Sequence, residues 1–252
     1  MIATIEVTDR QLESPLGRAN ALTKLVVALA WLIGLATTVS PWPPLFLAAV
    51  AALSGLTLGR LPAGSLLRGA APLLIAAVSV GFFNAVFAAA NVDPASTEVA
   101  RIGPLRLTAE AIAGGIGLGA RIVAIAFTSV VFALTTDSTR LADALVQQAH
   151  VPERFAYGAL AAYQAVPRFG EDLATLRQAR RIRGLPGSWH PRLLVSLLVL
   201  AIRHGDRLAL AMDARGFGSA PRTRYRSSSF GWIDAAIGVG AAAALVVALL
   251  LG

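Results

Sequence analysis

Four long apolar windows constrain the fold of this chain more than any other feature of its sequence. They cover residues 21–40, 70–90, 111–134 and 231–251, and each is close to the roughly 20 helical residues that cross a bilayer core. A fifth window, 42–58, is shorter and begins within the turn sequence SPWPP. Charged residues make up 14% of the chain, against about 25% in soluble domains. The sequence therefore predicts an all-α integral membrane protein with about five transmembrane helices.

The placement of arginine predicts how these helices are oriented. Of the 22 basic residues, 14 lie between Arg140 and Arg226, and the positive-inside rule assigns that segment to the cytoplasm. The loop 91–110 is then external, the N-terminus cytoplasmic and the C-terminus outside. The first twenty residues contain no apolar run of the kind found in a signal peptide, so the first span is expected to direct its own insertion. The expected location is the plasma membrane.

Two apolar runs inside the basic segment are too short to cross a membrane. They cover residues 155–166 and 193–202, well below the length of a span. We therefore expect three parts: residues 1–134 with the N-terminal segment and four spans, residues 135–226 as a cytoplasmic module, and residues 227–252 as the last span.

The cytoplasmic module has the sequence pattern of amphipathic helices. Asp137 or Ser138 is placed to cap a helix. Residues 171–183 open with two acids and close with arginines, which suits the dipole of a helix beginning there. Residues 192–215, wound as a helix, separate a charged side from an apolar side. These patterns predict helices that pack against partners.

Two segments of the module end on the same pattern, Ala-x-x-x-Arg-Gly. A glycine after a helix favours the left-handed turn that ends it, and an arginine in the last turn suits the helix dipole. Helix-stop chemistry explains one such ending, but a matched pair also resembles two plugs for an acidic or carbonyl-lined groove on a partner. The residues are Ala179, Arg183 and Gly184 in the first ending and Ala211, Arg215 and Gly216 in the second.

The sequence lacks the residues of several other site types. There is no cysteine, and His150, His190 and His204 have no metal-ligand spacing, so we expect neither a metal site nor a cofactor. The single lysine, Lys24, lies outside any G-x-x-x-x-G-K-[ST] phosphate loop. If the protein takes part in ATP-driven work, another subunit must bind the nucleotide, and we expect no enzymatic activity in this chain.

Several stretches together resemble the transmembrane T component of energy-coupling factor (ECF) transporters. They are SPLGRANALTKL, LTAEAIAGGIGLGARI, LTTDSTRLADAL, YQAVPRF and the two Arg-Gly endings, which span roughly residues 14–220. The resemblance implies a scaffold whose cytoplasmic coupling helices dock on two ABC-type ATPases, identical or different. It also implies one membrane subunit, the S component, that captures a vitamin or a transition-metal ion, and no nucleic-acid partner.

The resemblance also implies roles for individual residues. Ala214, Arg215 and Gly216 match the family's Ala-Arg-Gly docking motif in full. In the first motif, Ile182 stands where alanine is usual before Arg183 and Gly184. At the N-terminus, the segment 20–22 reads Asn-Ala-Leu in place of the common Asp-Pro-Arg.

Three residues of the fourth span stand out. Arg121 places a charge inside the membrane, which is costly, so it should face protein or water, either pairing with carbonyl groups or Asn84 or helping to hold a partner subunit. Gly115 and Gly119 form a G-x-x-x-G pair that allows close contact, either with another span or with the capture subunit.

Two other functions compete with the transport scaffold. A membrane enzyme could handle an anionic lipid through the arginines of 140–226, although no nucleophile, histidine and carboxylate grouping stands out there. A secondary transporter working alone would need an ion gradient, and the chain shows no inverted repeat.

Overall fold

The computed structural model describes residues 11, 13–38, 40–91, 96–102, 105–185, 189–219 and 226–251. Its helices are α1 (Pro15–Arg18), α2 (Ala21–Thr37), α3 (Trp42–Thr57), α4 (Ala63–Phe87), α5 (Ala109–Thr135), α6 (Ser138–Gln147), α7 (Glu153–Ile182), α8 (Pro191–Ala214) and α9 (Trp232–Leu250). The prediction of an all-α membrane protein is confirmed, with one small hairpin of strands as the exception. Described residues within Ala142–Ser228 form one compact unit, and those before and after it form another.

The second of these units, here called the bundle unit, contains the apolar helices. Among the described residues, three helices are long and apolar enough to cross a membrane: α4 with the 3-10 turn that follows it, α5 and α9. The two shorter apolar helices, α2 and α3, have 17 and 16 residues. Each predicted window thus contains a helix, and a count of five crossings stays a prediction.

Helix α5 lies at the centre of the bundle unit, where it packs against α2, α3 and α4. The buried core there combines Trp31, Leu47, Ala51, Ala124 and Ala248. Small residues let α4 and α5 approach closely: a Cβ added to Gly115 would lie 2.5 Å from the carbonyl oxygen of Gly81. Only glycine fits at that contact without a backbone shift.

One carboxylate joins the N-cap residues of α2 and α9, so these two helices begin side by side. Asp234 Oδ1 accepts from the N–H of Asn20 at 2.6 Å, and Oδ2 accepts from the N–H of Gly231 at 2.7 Å. The Lys24 ammonium, in the first turn of α2, donates to the carbonyl of Thr135, the last residue of α5, at 2.6 Å. Helices α2 and α9 therefore run in one direction and α5 in the opposite direction.

The loop between α4 and α5 contains the chain's one described sheet. Strands β1 (Glu98–Ile102) and β2 (Leu105–Thr108) pair antiparallel. The Asn91 side chain donates to the carbonyls of Ala85 and Val86 and accepts from the N–H of Thr108. Thr108 then caps α5 through its hydroxyl, which accepts from the N–H of Ala111. These bonds fix the angle at which the chain re-enters the bundle.

The unit within 142–228 consists of α7, α8 and most of α6, whose first residues lie in the bundle unit. As predicted, Asp137 caps α6, its carboxylate accepting from the N–H of Thr139 at 2.8 Å. Residues 192–215 form one helix, also as predicted. The prediction of a separate helix over 171–183 is wrong, because α7 runs unbroken for 30 residues from Glu153 and passes through Pro167. The acids at 171 and 172 therefore lie in mid-helix, away from the positive end of its dipole.

Candidate partner-docking site: two Arg-Gly helix tips

The first Arg-Gly ending closes α7 with a left-handed glycine. Gly184 has φ +70°, a conformation that costs other residues free energy. Its N–H donates to the carbonyl of Arg181 at 3.0 Å, and the N–H of Leu185 donates to Arg180 at 3.3 Å. This is the Schellman arrangement that satisfies the last carbonyls of a helix.

The second ending closes α8 with the same geometry. Gly216 also has φ +70°. Its N–H donates to the carbonyl of Asp213 at 2.9 Å, and the N–H of Phe217 donates to Met212 at 2.9 Å. Two helices of different length and composition thus end on the same backbone structure, which the glycine positions alone predict.

Both arginines of the pair are exposed. Arg183 and Arg215 are the C-cap residues of their helices, and within the described part of the chain neither guanidinium takes part in an ion pair or a hydrogen bond. Ile182, which replaces the alanine of the second ending, is 87% exposed. Each tip therefore presents a forked cation with unused donors, the group best suited to bind carboxylates or carbonyl oxygens.

An aromatic contact between Phe217 and Tyr157 supports the second tip, and the sequence did not predict it. Phe217 meets Tyr157 edge to face, with 6.3 Å between ring centroids. Tyr157, in the second turn of α7, donates its hydroxyl to the Asp143 carboxylate of α6 at 2.8 Å. Gly218 completes the turn at φ +85°, with the guanidinium of Arg154 beside it. The Phe217–Tyr157 and Gly218–Arg154 contacts join residues 60 and 64 positions apart, which no local pattern reveals.

The first tip is held more loosely. A Cβ added to Gly184 would meet nothing within 4 Å. Two turns earlier, Arg177 lies over the ring of Trp189, 6.0 Å from its centroid. His190 caps α8, its Nδ1 accepting from the N–H of Arg192 at 3.1 Å. The alanines also differ, since Ala179 is half-buried whereas Ala211 and Ala214 are exposed.

The three residues predicted in the fourth span lie in contact with this chain's own helices. Gly115 and Gly119 pack against α4, where a Cβ on Gly119 would lie 3.2 Å from the carbonyl oxygen of Ala77. Arg121 donates to the carbonyl of Thr38 at the end of α2, so a carbonyl group, and not Asn84, receives its hydrogen bond. Contact of these residues with a partner subunit stays a prediction.

No group of three or more histidine, aspartate or glutamate side chains with the spacing of a metal site occurs among the described residues. His190 has a structural role as a helix cap, and His150 lies exposed in a turn with φ +55°.

Apolar helices gathered around α5, together with a second helical unit that carries two exposed Arg-Gly tips, define an integral membrane protein. Comparison with known families agrees and goes further. The family model CbiQ, described as cobalt transport protein, matches residues 13–225. The chain belongs to this family, which confirms its resemblance to the T component of ECF transporters.

Relatives named as the energy-coupling factor transporter transmembrane protein EcfT extend the match over nearly the whole chain. The EcfT of Heliobacterium modesticaldum is 28% identical over 253 residues, covering 94% of this chain and 92% of the relative. That of Lactococcus lactis subsp. cremoris is 23% identical over 231 residues, 85% of each chain. That of Listeria innocua is 29% identical over 147 residues, 52% of this chain and 56% of the relative. A transport family favours the scaffold hypothesis over a membrane enzyme.

Proposed function

We propose that this T component couples the motions of two ABC-type ATPases to a substrate-capture membrane subunit, and that the two Arg-Gly tips are its docking points. The observation that carries the proposal is that the same helix end occurs twice: an exposed arginine is followed by a glycine at φ +70° that ends the helix. Two tips with the same backbone closure suit a partner that itself comes as a pair. An ATPase dimer, identical or mixed, supplies two such sites.

The proposed docking chemistry follows from the guanidinium groups. Each arginine carries five N–H donors in a rigid fork, and the described chain uses none of them at Arg183 or Arg215. An acidic or carbonyl-lined groove on each ATPase would accept these donors. The alanines Ala179, Ala211 and Ala214 each place a small side chain on the flank of a tip, so the groove wall can approach the helix backbone at these positions.

The direction of the helices supports the proposed topology of five spans. Helices α2 and α9 begin at one end of the bundle and α5 ends there, as alternation from a cytoplasmic N-terminus to an external C-terminus requires. The positive-inside rule places this end in the cytoplasm. The proposed location is the plasma membrane.

We place the capture subunit on the apolar surface of the bundle unit beside α4 and α5. A shallow groove of about 330 Å³ runs over Gly115 and Gly119 there, flanked by Phe82, which is 62% exposed. Small residues below and an aromatic rim suit a helix from another membrane protein. The cargo, a vitamin or a transition-metal ion, would be selected by that subunit.

Charge reversal at both tips tests the docking role. We expect the double variant Arg183→Glu and Arg215→Glu to remain in the membrane but to lose both ATPase co-purification and substrate uptake, because each tip would repel an acidic groove. Hot-spot arginines cost about 2 kcal/mol or more when removed. Arg207→Glu is the matched control, since it reverses an exposed charge on α8 away from the tip. Normal uptake and co-purification in the double variant would show that the tips do not dock the ATPases.

Mass spectrometry of the material that co-purifies with the wild-type chain in mild detergent tests the rest of the assembly. In addition to this chain, we expect one small membrane protein and either one ATPase polypeptide, if the dimer is identical, or two, if it is mixed. A chain that purified alone and transported substrate with an ion gradient and no ATP would identify a secondary transporter.

A further inference from the structure

A cavity of about 780 Å³ opens within the bundle unit between α2, α3, α5 and α9. Its volume lies in the range of roughly 300–1,000 Å³ that is usual for small-ligand sites. The inner walls are apolar and include Val27, Trp31, Val50, Phe132 and Ile237. The docking role of the tips makes no use of this space.

Basic side chains gather at one end of the cavity. Arg18, Lys24 and Arg60 all line it, against one acid, Glu13. Arg18 and Arg60 are exposed, so their guanidinium groups are available to a ligand. Lys24 is only 7% exposed, and its ammonium, which carries three donors, makes a single hydrogen bond within the described structure, to the carbonyl of Thr135.

The charges and the apolar walls are separated along the bundle axis. Lys24 lies in the first turn of α2 and Thr135 ends α5, so the basic end coincides with the ends of these helices. Helix α2 rises by about 10 Å from Lys24 to Trp31, and α9 rises by about 13 Å from Trp232 to Ala241, at 1.5 Å per residue. The cavity therefore runs from a cationic rim at the ends of these helices into the apolar depth of the bundle unit.

We propose that this cavity binds one anionic phospholipid. The phosphate lies between Arg18, Arg60 and Lys24, which supply charge-assisted hydrogen bonds, and one acyl chain extends along Trp31. A zwitterionic lipid carries an additional cation in its headgroup, which the three basic side chains repel. With the topology proposed above, the rim of the cavity faces the cytoplasmic leaflet, whose anionic lipids supply the ligand. The binding chemistry itself depends only on the residues of the cavity.

Fluorescence of Trp31 reports occupancy directly. A full-length variant that keeps only this tryptophan (Trp42→Phe, Trp189→Phe, Trp232→Phe) is reconstituted in phosphatidylcholine vesicles. Phosphatidylglycerol or phosphatidylcholine with brominated acyl chains is added at equal mole fraction as a quencher. We expect the anionic lipid to quench Trp31 at a much lower mole fraction than the zwitterionic lipid.

Replacement of the rim arginines tests the site against a general attraction of anionic lipid to a basic protein. Loss of a charge-assisted hydrogen bond should weaken the relative affinity about tenfold for each of Arg18→Gln and Arg60→Gln. Arg68→Gln, an exposed residue of α4 that does not line the cavity, is the matched control and should leave quenching unchanged. Native mass spectrometry of the same variants measures retained phospholipid and so checks the result without fluorescence.

Three results would overturn the proposal. Equal quenching by the two brominated lipids would show that the rim does not select charge. An equal effect of Arg68→Gln and Arg60→Gln would assign the preference to the lipid annulus. Absence of quenching by either lipid, with native spectra free of bound phospholipid, would show that a protein segment or water fills the cavity. ATPase co-purification is measured in parallel, so a failed lipid site is distinguished from failed docking.

Discussion

One added methyl group should have opposite effects at two glycines associated with α8. Gly205 lies in the helix interior, where a Cβ would meet nothing within 4 Å. Gly216 ends the helix at φ +70°, and its Cβ would lie 3.1 Å from Ser219 Oγ. Alanine in a helix interior is more stable than glycine by about 0.5–1 kcal/mol, whereas left-handed alanine costs about 1–2 kcal/mol. The effects of the two substitutions on the stability of α8 should therefore differ by roughly 1.5–3 kcal/mol.

Amide hydrogen exchange of the full-length protein in detergent measures this difference locally. The amides of Gly216 and Phe217 donate to the last carbonyls of α8, so their exchange reports opening of the tip. We expect Gly216→Ala to lower their protection by a factor of about 5–30 and Gly205→Ala to leave it equal or higher. In α7, Gly184→Ala and Gly170→Ala form a second pair, and neither added Cβ would meet another atom within 4 Å. If both members of a pair changed protection in the same direction, the left-handed closure would not be what stabilises the tip.

Three further substitutions probe other contacts. Gly115→Ala should cost about 1–3 kcal/mol by overpacking the α4–α5 contact and should lower the melting temperature in detergent. Gly114→Ala is the control and should be tolerated, because the nearest atom to its Cβ would be 3.7 Å away. Equal melting temperatures for the two variants would refute the close approach of the helices. Asp234→Asn should destabilise the bundle by about 0.5–2 kcal/mol through weaker capping of two helices. The expected result is a lower melting temperature than that of Asp206→Asn, an exposed control. An unchanged melting temperature would contradict the link that Asp234 makes between α2 and α9. Tyr157→Phe removes the hydrogen bond to Asp143, which should cost about 0.5–1.5 kcal/mol, and should increase hydrogen exchange at the second tip but not at the first. An equal increase at both tips would show that Tyr157 does not support the second tip locally.

The bundle helices could be predicted from sequence because their signal is local. Long apolar runs set the limits of α5 and α9 to within two residues, whereas α4 begins seven residues before its window. The left-handed glycines at 184 and 216 were equally predictable, because a helix end followed by Gly has few low-energy alternatives. The repeated Ala-x-x-x-Arg-Gly pattern paired the tips, the family resemblance added their docking role, which stays a prediction, and the family match confirmed the resemblance.

Other features depended on contacts between residues far apart in the chain. The acids at 171–172 suggested a helix start, but α7 continues through Pro167, where the loss of one hydrogen bond is outweighed by the helix on either side. The partner of Arg121 turned out to be the Thr38 carbonyl because the end of α2 lies beside α5. The contact of Phe217 with Tyr157 likewise exists only once α6, α7 and α8 have assembled.

The carboxylate of Asp234 has a consequence for the biosynthesis of the protein. It bonds to a backbone amide 214 positions earlier in the chain, and at 5–20 residues per second the ribosome needs roughly 10–40 s to reach it. During that interval the amide of Asn20 is without its native acceptor. The bond that joins the starts of α2 and α9 can therefore form only near the end of synthesis, and a chain that stops before residue 234 lacks it.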